Sequence, residues 1–199
     1  MINTPDASLY RGYADLAARQ ELNKDYEIVA EFRPSSRVAV IAPHGGAIER
    51  GTSRIARALA GENFSLFMLE GIRRTDNYAA LHLSSRYFDE PNCLKVVSEC
   101  PIVVAVHGCK GTDEKVLLGG RDDALKNQLA AAIRSVGVAA ETIGHAFPAV
   151  DTDNICNRGS TGKGVQLEFT AALRGAGTLA RVESAIRSEL LKANAAAQP

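Results

Sequence analysis

"VAVIAPHGGAIERG", Val38 to Gly51, is the stretch on which the fold turns. Its first half is apolar without alternation, the pattern of a strand covered on both faces, as in the parallel sheets of α/β proteins. The run then meets His44, passes Gly45 and Gly46, and reaches Glu49 five positions after the histidine. A second run, "PIVVAVHG" from Pro101 to Gly108, repeats the plan: a continuous apolar strand that ends in His-Gly. Around these two lie helical patterns at "DLAARQELN", "GTSRIARALAGE", "RDDALKNQLAAAIRSVG" and "LARVESAIRSELLKA". Further strands are predicted at "DYEIVAEF", "FSLFMLEG", "KGVQLEFT" and "YAALHLSS", the last from Leu81 and Leu83 alternating with His82. Strands interleaved with helices predict an α/β fold with a central, mixed but mainly parallel sheet flanked by helices. In such folds ligands collect at the carboxyl ends of the strands.

The length of 199 residues suits one domain spanning 1–199, with the alanine-rich "KANAAAQP" expected to fray from about 193 to 199. Twenty-three basic residues balance twenty-three acidic ones, so no global field recruits nucleic acid or an anionic membrane. No apolar run reaches the roughly eighteen residues of a membrane span. The N-terminal residues lack the basic and apolar regions of a secretory signal, which leads us to expect a cytoplasmic chain. Cys93, Cys100, Cys109 and Cys156 form no CxxC pair, and reduced thiols are the expected state.

The chain has four histidines: His44, His82, His107 and His145. A single histidine at a strand end is more often a satisfied polar group at a core margin than a ligand. Two equivalent His-Gly strand ends reverse that weighting, because strands of one direction would deliver both imidazoles to the same edge. Glu49 supplies a third donor. Two imidazoles and a carboxylate suit a catalytic zinc, which usually keeps three protein ligands and one open position. Glu49 can equally be a carboxylate in the first turn of the following helix, favourable to its dipole. A zinc hydrolase also needs a proton acceptor. Glu168 in "KGVQLEFT" is the candidate, on the face opposite Val165, Leu167 and Phe169 and shared with Gln166. The polar, glycine-rich "DTDNICNRGSTGKG" before it reads as an active-site loop, with Asn157 and Arg158 as hydrogen-bond donors to an oxyanion or a carboxylate.

"VAVIAPHGGAIERGTSRIARAL", "LHLSSRYFDEP", "VAVHG" and "NRGSTGKGVQLEF" together resemble the phage-type poly-γ-glutamate hydrolase family, whose core is similar to the zinc carboxypeptidases. The resemblance covers roughly Tyr10 to Leu190. It implies a zinc carboxypeptidase-like fold, one zinc per chain on His44, Glu49 and His107, and a catalytic glutamate at Glu168. The first histidine and glutamate stand five apart here, against three in the wider carboxypeptidase pattern. The Asn-Arg pair follows the second metal histidine here, where carboxypeptidases have it before.

The resemblance also implies an anionic polyglutamate substrate, cut at its γ-glutamyl amide bonds by metal-activated water with Glu168 as general base and Arg158 stabilising the oxyanion. It suggests a phage enzyme that clears a capsule and leaves the cell on host lysis. Arg73, Arg74, Lys110 and Arg121 fall in loops where such a polyanion would need guidance, and a monomer is expected. His82 is a substrate-side donor or an ordinary polar residue, and His145 a lining residue of the same cleft. Two other readings stand beside this one. A zinc amidohydrolase, carboxypeptidase or deacylase would act on a small acyl amino acid or peptide. A non-catalytic, metal-stabilised module would bind an acidic polymer without cutting it.

Overall fold

Both continuous apolar runs are strands, and they lie side by side in one direction. The computed structural model describes residues 9–198; residues 1–8 and 199, which the single-domain expectation included, lie outside them. In chain order the elements are α1 (Tyr13–Ala17), β1 (Tyr26–Glu31), β2 (Val38–Gly46), α2 (Thr52–Ala60), β3 (Ser65–Gly71), α3 (Asn77–Leu81) and α4 (Pro91–Ser98). They continue with β4 (Ile102–Cys109), β5 (Lys115–Gly120), α5 (Asp123–Ser135), β6 (Ala139–Glu141), a 3-10 turn (Ile155–Asn157), β7 (Val165–Thr170), α6 (Ala171–Gly175) and α7 (Leu179–Ala196).

The seven strands form one mixed sheet in the order β1-β3-β2-β4-β7-β5-β6. β3, β2, β4 and β7 run parallel, while β1 and β5 pair antiparallel to β3 and β7. Each face of the sheet is covered. Val38, Val40, Val104, Val106, Val165, Leu167 and Phe169 meet α2, α5 and α7 on one side. Ala39, Ile41, Val103 and Ala105 meet α4, Tyr10, Leu16 and Phe88 on the other. That double cover explains the unbroken apolar runs, since no residue of β2 or β4 faces water along the strand body. From β2 the chain moves to β3 on one side and then returns to β4 on the other. The crevice between the carboxyl ends of β2 and β4 is therefore the topological switch point, where α/β sheets bind ligands.

Several elements differ from expectation. "YAALHLSS" is not a strand: Asn77–Leu81 is a short helix, and the edge of β3 it would need is already paired with β1. Leu81 and Leu83 still point inward, both fully buried, so their alternation reports burial and not pairing. The helix predicted at "GTSRIARALAGE" does form, as α2, and buries Thr52, Ile55, Ala56, Leu59 and Ala60. At the other end, α7 continues to Ala196 through the segment expected to fray from 193. Ala193 packs on the core there, and Asn194 Oδ1 accepts the Arg37 amide at 2.8 Å. The four cysteines are free and buried. Among the described residues no helix is long and apolar enough to cross a membrane.

Candidate active site

The parallel register Val38↔Ile102 through Ile41↔Ala105, if continued, would set His44 opposite Gly108 and turn it to the face away from His107. The ladder does not continue. Between β2 and β3 the pairing jumps from Ala42↔Met68 to Gly45↔Glu70, so β2 carries one extra residue. This bulge flips the alternation and puts His44 on the same face as His107, the re-aiming that bulges supply next to active sites. The turn after it depends on the two glycines. A Cβ on Gly45 would lie 2.5 Å from Ser53 Oγ and 2.9 Å from the Leu69 carbonyl. Gly46 has φ +61° and lies against Gly71, where a Cβ would be 2.5 Å from the carbonyl oxygen. Thr52 Oγ1 then bonds the carbonyls of His44 and Glu49, closing the turn that returns Glu49 to the histidine. Glu49 precedes α2 and is not in its first turn, so the helix-dipole alternative does not apply.

His44, Glu49 and His107 converge. His44 Nδ1 is 3.0 Å from Glu49 Oε1 and 3.1 Å from His107 Nδ1, and His107 Nδ1 is 3.5 Å from Glu49 Oε2. Four tetrahedral N/O ligands at zinc distances of about 2.05 Å stand about 3.3 Å from one another, a spacing close to the separations of these three groups. The tautomers give the same result. His44 Nε2 lies 2.8 Å from the Leu83 carbonyl, which only accepts, so the proton of a neutral ring is on Nε2. Its Nδ1 lone pair then faces a carboxylate oxygen, an arrangement that a proton or a metal ion between them makes favourable. His107 Nε2 meets Ser85 Oγ at 3.3 Å, and Glu49 Oε2 accepts the Gly108 amide at 2.8 Å.

Burial alone would raise Glu49. The charge of His44, hydrogen bonds from both imidazoles and the charge of His107 outweigh it and hold the carboxyl well below the usual range. Burial opposes protonation of His107, yet its bond to Glu49 and the charges of Glu168 and Glu49 raise it overall. Glu168 is the register neighbour of His107. Only 4% exposed, it is pushed up to about 7 by burial, with the Glu49 charge adding and His107 opposing. Its Oε1 accepts from Gln166 Nε2 at 2.8 Å. Every residue of β7 is buried, so the face that carries Gln166 and Glu168 is covered.

His82 forms a second possible triad with His44 and Glu49, whose donor atoms all lie within 4.8 Å of one another. It fits less closely than His107. Its ring stacks on His44 with centroids 4.1 Å apart, and its Nε2 is 3.9 Å from Glu49. Burial and the His44 charge push it down to about 3, so it is neutral. Tyr78, half exposed, stacks on the outer face of His82 at 4.6 Å.

The remaining sequence candidates are distributed differently. Asn157 is buried and engaged by its own loop and by the turn after β5. Its Nδ2 donates to the Ala149 and Asp151 carbonyls, and its Oδ1 accepts the Arg121 and Gly164 amides. Both amide protons of Asn157 are thus taken up within the protein. Arg73 is paired through Nη1, with Asp25 at 2.8 Å and Gln20 at 2.9 Å, while its buried Nε has no partner among the described residues, and it ties the N-terminal segment to the loop after β3. Arg158 is exposed, with its guanidinium 3.4 Å from the Phe88 carbonyl, and Arg121 is exposed. His145 bonds the Leu118 carbonyl at 3.1 Å beside β5. Three participants escape the sequence reading: Ser85, the Leu83 carbonyl and Arg174. Arg174 packs over Gly108, where a Cβ would sit 2.5 Å from its Nη1, and donates to the carbonyls of Cys109 and Phe169. None of the three left a signal in the sequence, whereas Gln166 did, through its shared face with Glu168.

A family model described as poly-gamma-glutamate hydrolase matches residues 10–185. The Bacillus subtilis protein YmaC is 35% identical over 176 residues, 87% of this chain and 73% of that protein. A structure of a bacteriophage poly-gamma-glutamate hydrolase superposes with a TM-score of 0.87 and 28% identity, covering 94% of this chain and 98% of that one. A structure of YndL described as its zinc-free apo form does so at 0.81 with 28% identity, covering 93% and 96%.

Proposed function

The chain belongs to the poly-γ-glutamate hydrolase family and is a hydrolase, and from that premise we propose that it cleaves γ-glutamyl amide bonds with one zinc on His44, Glu49 and His107 and Glu168 as general base. The observation that carries this reading is the meeting of both Nδ1 atoms with the Glu49 carboxylate at 3.0 to 3.5 Å, with Glu168 in register beside His107. The zinc-free description of the YndL structure, a protein of the same fold, supports the choice of metal. When bound, zinc supplies a Lewis acid that polarises the amide carbonyl and lowers the pKa of a water.

The protein's own groups do the rest. The Leu83 carbonyl holds His44 in the Nε2–H tautomer, and the Gly108 amide holds one oxygen of Glu49 in place. Glu168, with a pKa near 7, is suited to taking a proton at neutral pH and returning it to the leaving amine. Poly-γ-glutamate carries an α-carboxylate on every residue. The exposed Arg121, Arg158, Arg74 and Lys110 are the cations we assign to its guidance. His82, being neutral, would serve as a hydrogen-bond partner and not as a charge.

The test measures bound zinc and polyglutamate cleavage for wild type, His107→Ala and Glu168→Gln. Glu168→Gln should keep zinc and lose roughly 10²- to 10⁴-fold in turnover, while His107→Ala should lose the metal. A His107→Ala protein with stoichiometric zinc and normal cleavage sinks the reading. Product length separates internal cleavage, which gives oligomers, from end-cutting, which releases free glutamate.

A further inference from the structure

We infer that Asn154 and Gln166 form a hydrogen-bond relay of fixed direction that orients the Glu168 carboxylate, and that both are positioning residues of the hydrolytic site. The inference rests on the role proposed for Glu168. The chain of bonds starts at a group that cannot reverse. The Cys156 backbone N–H donates to Asn154 Oδ1 at 3.1 Å, so Asn154 must present its Nδ2 elsewhere. That nitrogen donates to Gln166 Oε1 at 3.1 Å, which leaves Gln166 Nε2 to donate to Glu168 Oε1 at 2.8 Å. Side-chain amides are symmetric in shape, and only such a network tells one end from the other. A reversed Gln166 would bring its carbonyl against the carboxylate.

The relay is built into the fold. Asn154, Gln166 and Glu168 are 8%, 6% and 4% exposed. Gln166 and Glu168 stand two apart on β7 and share a face. The strand neighbours of Gln166 are Ala105 on β4 and Gly119 on β5, and the Phe147 and Pro148 carbonyls pack against Gly119 where a side chain would stand. The same loop contacts the other half of the site, since the Ile155 amide donates to the Ser85 carbonyl at 2.8 Å and Ser85 Oγ meets His107. A glutamine that merely filled space would not need an asparagine with an assigned direction behind it.

The experiment compares Gln166→Leu, Asn154→Asp and the double variant on polyglutamate with zinc-loaded protein, with zinc content and Tm measured on each. Asn154→Asp keeps the shape but replaces the donor with an acceptor, so Gln166 turns its carbonyl toward Glu168. Each single variant should lower kcat roughly 10- to 100-fold with KM within about twofold and zinc unchanged. The double variant should be no worse than Gln166→Leu, because both act through one path. Unchanged kcat, or losses that simply add, would overturn the relay. An independent readout needs neither metal nor substrate. In the NMR spectrum of metal-free protein the Gln166 side-chain amide protons should exchange slowly and shift in Asn154→Asp. A fast-exchanging, unshifted Gln166 amide also overturns the relay. That measurement decides the case if Gln166→Leu does not fold. If wild type leaves polyglutamate uncut, the proposed function fails while the amide readout still judges the relay.

Discussion

At the carboxyl end of β2 the ladder breaks, with one extra residue before Gly45 and a left-handed Gly46, whereas at the ends of β4 and β7 it continues and His107 stands beside Glu168 in register. The two ends also treat their carboxylates in opposite ways. Glu49, at the broken end, is surrounded by imidazoles and a backbone N–H and is held ionised. Glu168, at the regular end, is buried with one amide donor and is pushed toward its neutral form. A carboxylate binds a cation best as the anion, and a general base must be able to hold a proton. The contrast between the ends matches the two tasks that the proposed mechanism asks of a carboxylate.

The largest expected effect comes from forcing the broken end to become regular. Gly46→Ala adds a Cβ to a residue at φ +61° and aims it at the Gly71 backbone. Left-handed strain and overpacking together should cost about 2–4 kcal/mol, read as a shift in urea midpoint. Zinc retention should fall with it, because His44 and Glu49 hang on this turn. A matched Gly175→Ala, in a site where an added Cβ meets nothing within 4 Å, should leave both unchanged. Equal behaviour of the two variants would remove the bulge and its turn from the account of the site.

A smaller effect separates the two carboxylates by pH. Glu168 has a folded pKa near 7, above its ordinary 4.5. Between those values the folded chain holds a proton that the unfolded chain has released, so stability falls as pH rises through the window. In metal-free wild type, Tm should drop by several degrees from pH 5 to 7 relative to Glu168→Gln, which cannot titrate there. Glu49 works in the opposite sense. Its depressed pKa contributes stability above about pH 4.5 that is lost only as pH falls further. His107, raised, adds stability at low pH that is lost as pH climbs past the ordinary histidine range, with the same sign as Glu168. The comparison with Glu168→Gln below pH 6.5 isolates the carboxylate, and parallel Tm curves there would contradict the contrast.

The regular end was the legible one. Continuous apolar runs identified β2 and β4, and period-two alternation put Gln166 and Glu168 on one face, because those signals follow from burial and pleat alone. His44 was found by its likeness to His107, but the reason the two meet is the bulge, which no local pattern announces. In unbroken register they would face apart. The partners of Asn157 and Arg73 were not legible for a related cause. Residue type says that an amide or a guanidinium will bond something, and only the fold says whether that partner is a substrate or, as here, the Ala149 carbonyl and Asp25. Ser85 lies 22 residues from His107 in sequence, and nothing in "LHLSSRYFDEP" distinguishes it from Ser84.

Ser85 also gives the mildest test of how the two ends are joined. The segment after α3 supports both histidines on their far sides, His44 through the Leu83 carbonyl at 2.8 Å and His107 through Ser85 Oγ at 3.3 Å. The first contact is backbone and survives any side-chain change, while the second can be removed alone. Partners of this kind set the orientation and basicity of ligating imidazoles, and their loss typically weakens metal affinity roughly 10- to 100-fold. Because 3.3 Å is long for a hydroxyl bond, Ser85→Ala should fall at the lower end, about tenfold in zinc Kd by competition with a chelator. Ser135→Ala, at the exposed end of α5, should leave Kd unchanged. If both variants bind zinc as wild type does, His107 is held by its strand alone, and the regular end of the site needs no outside support.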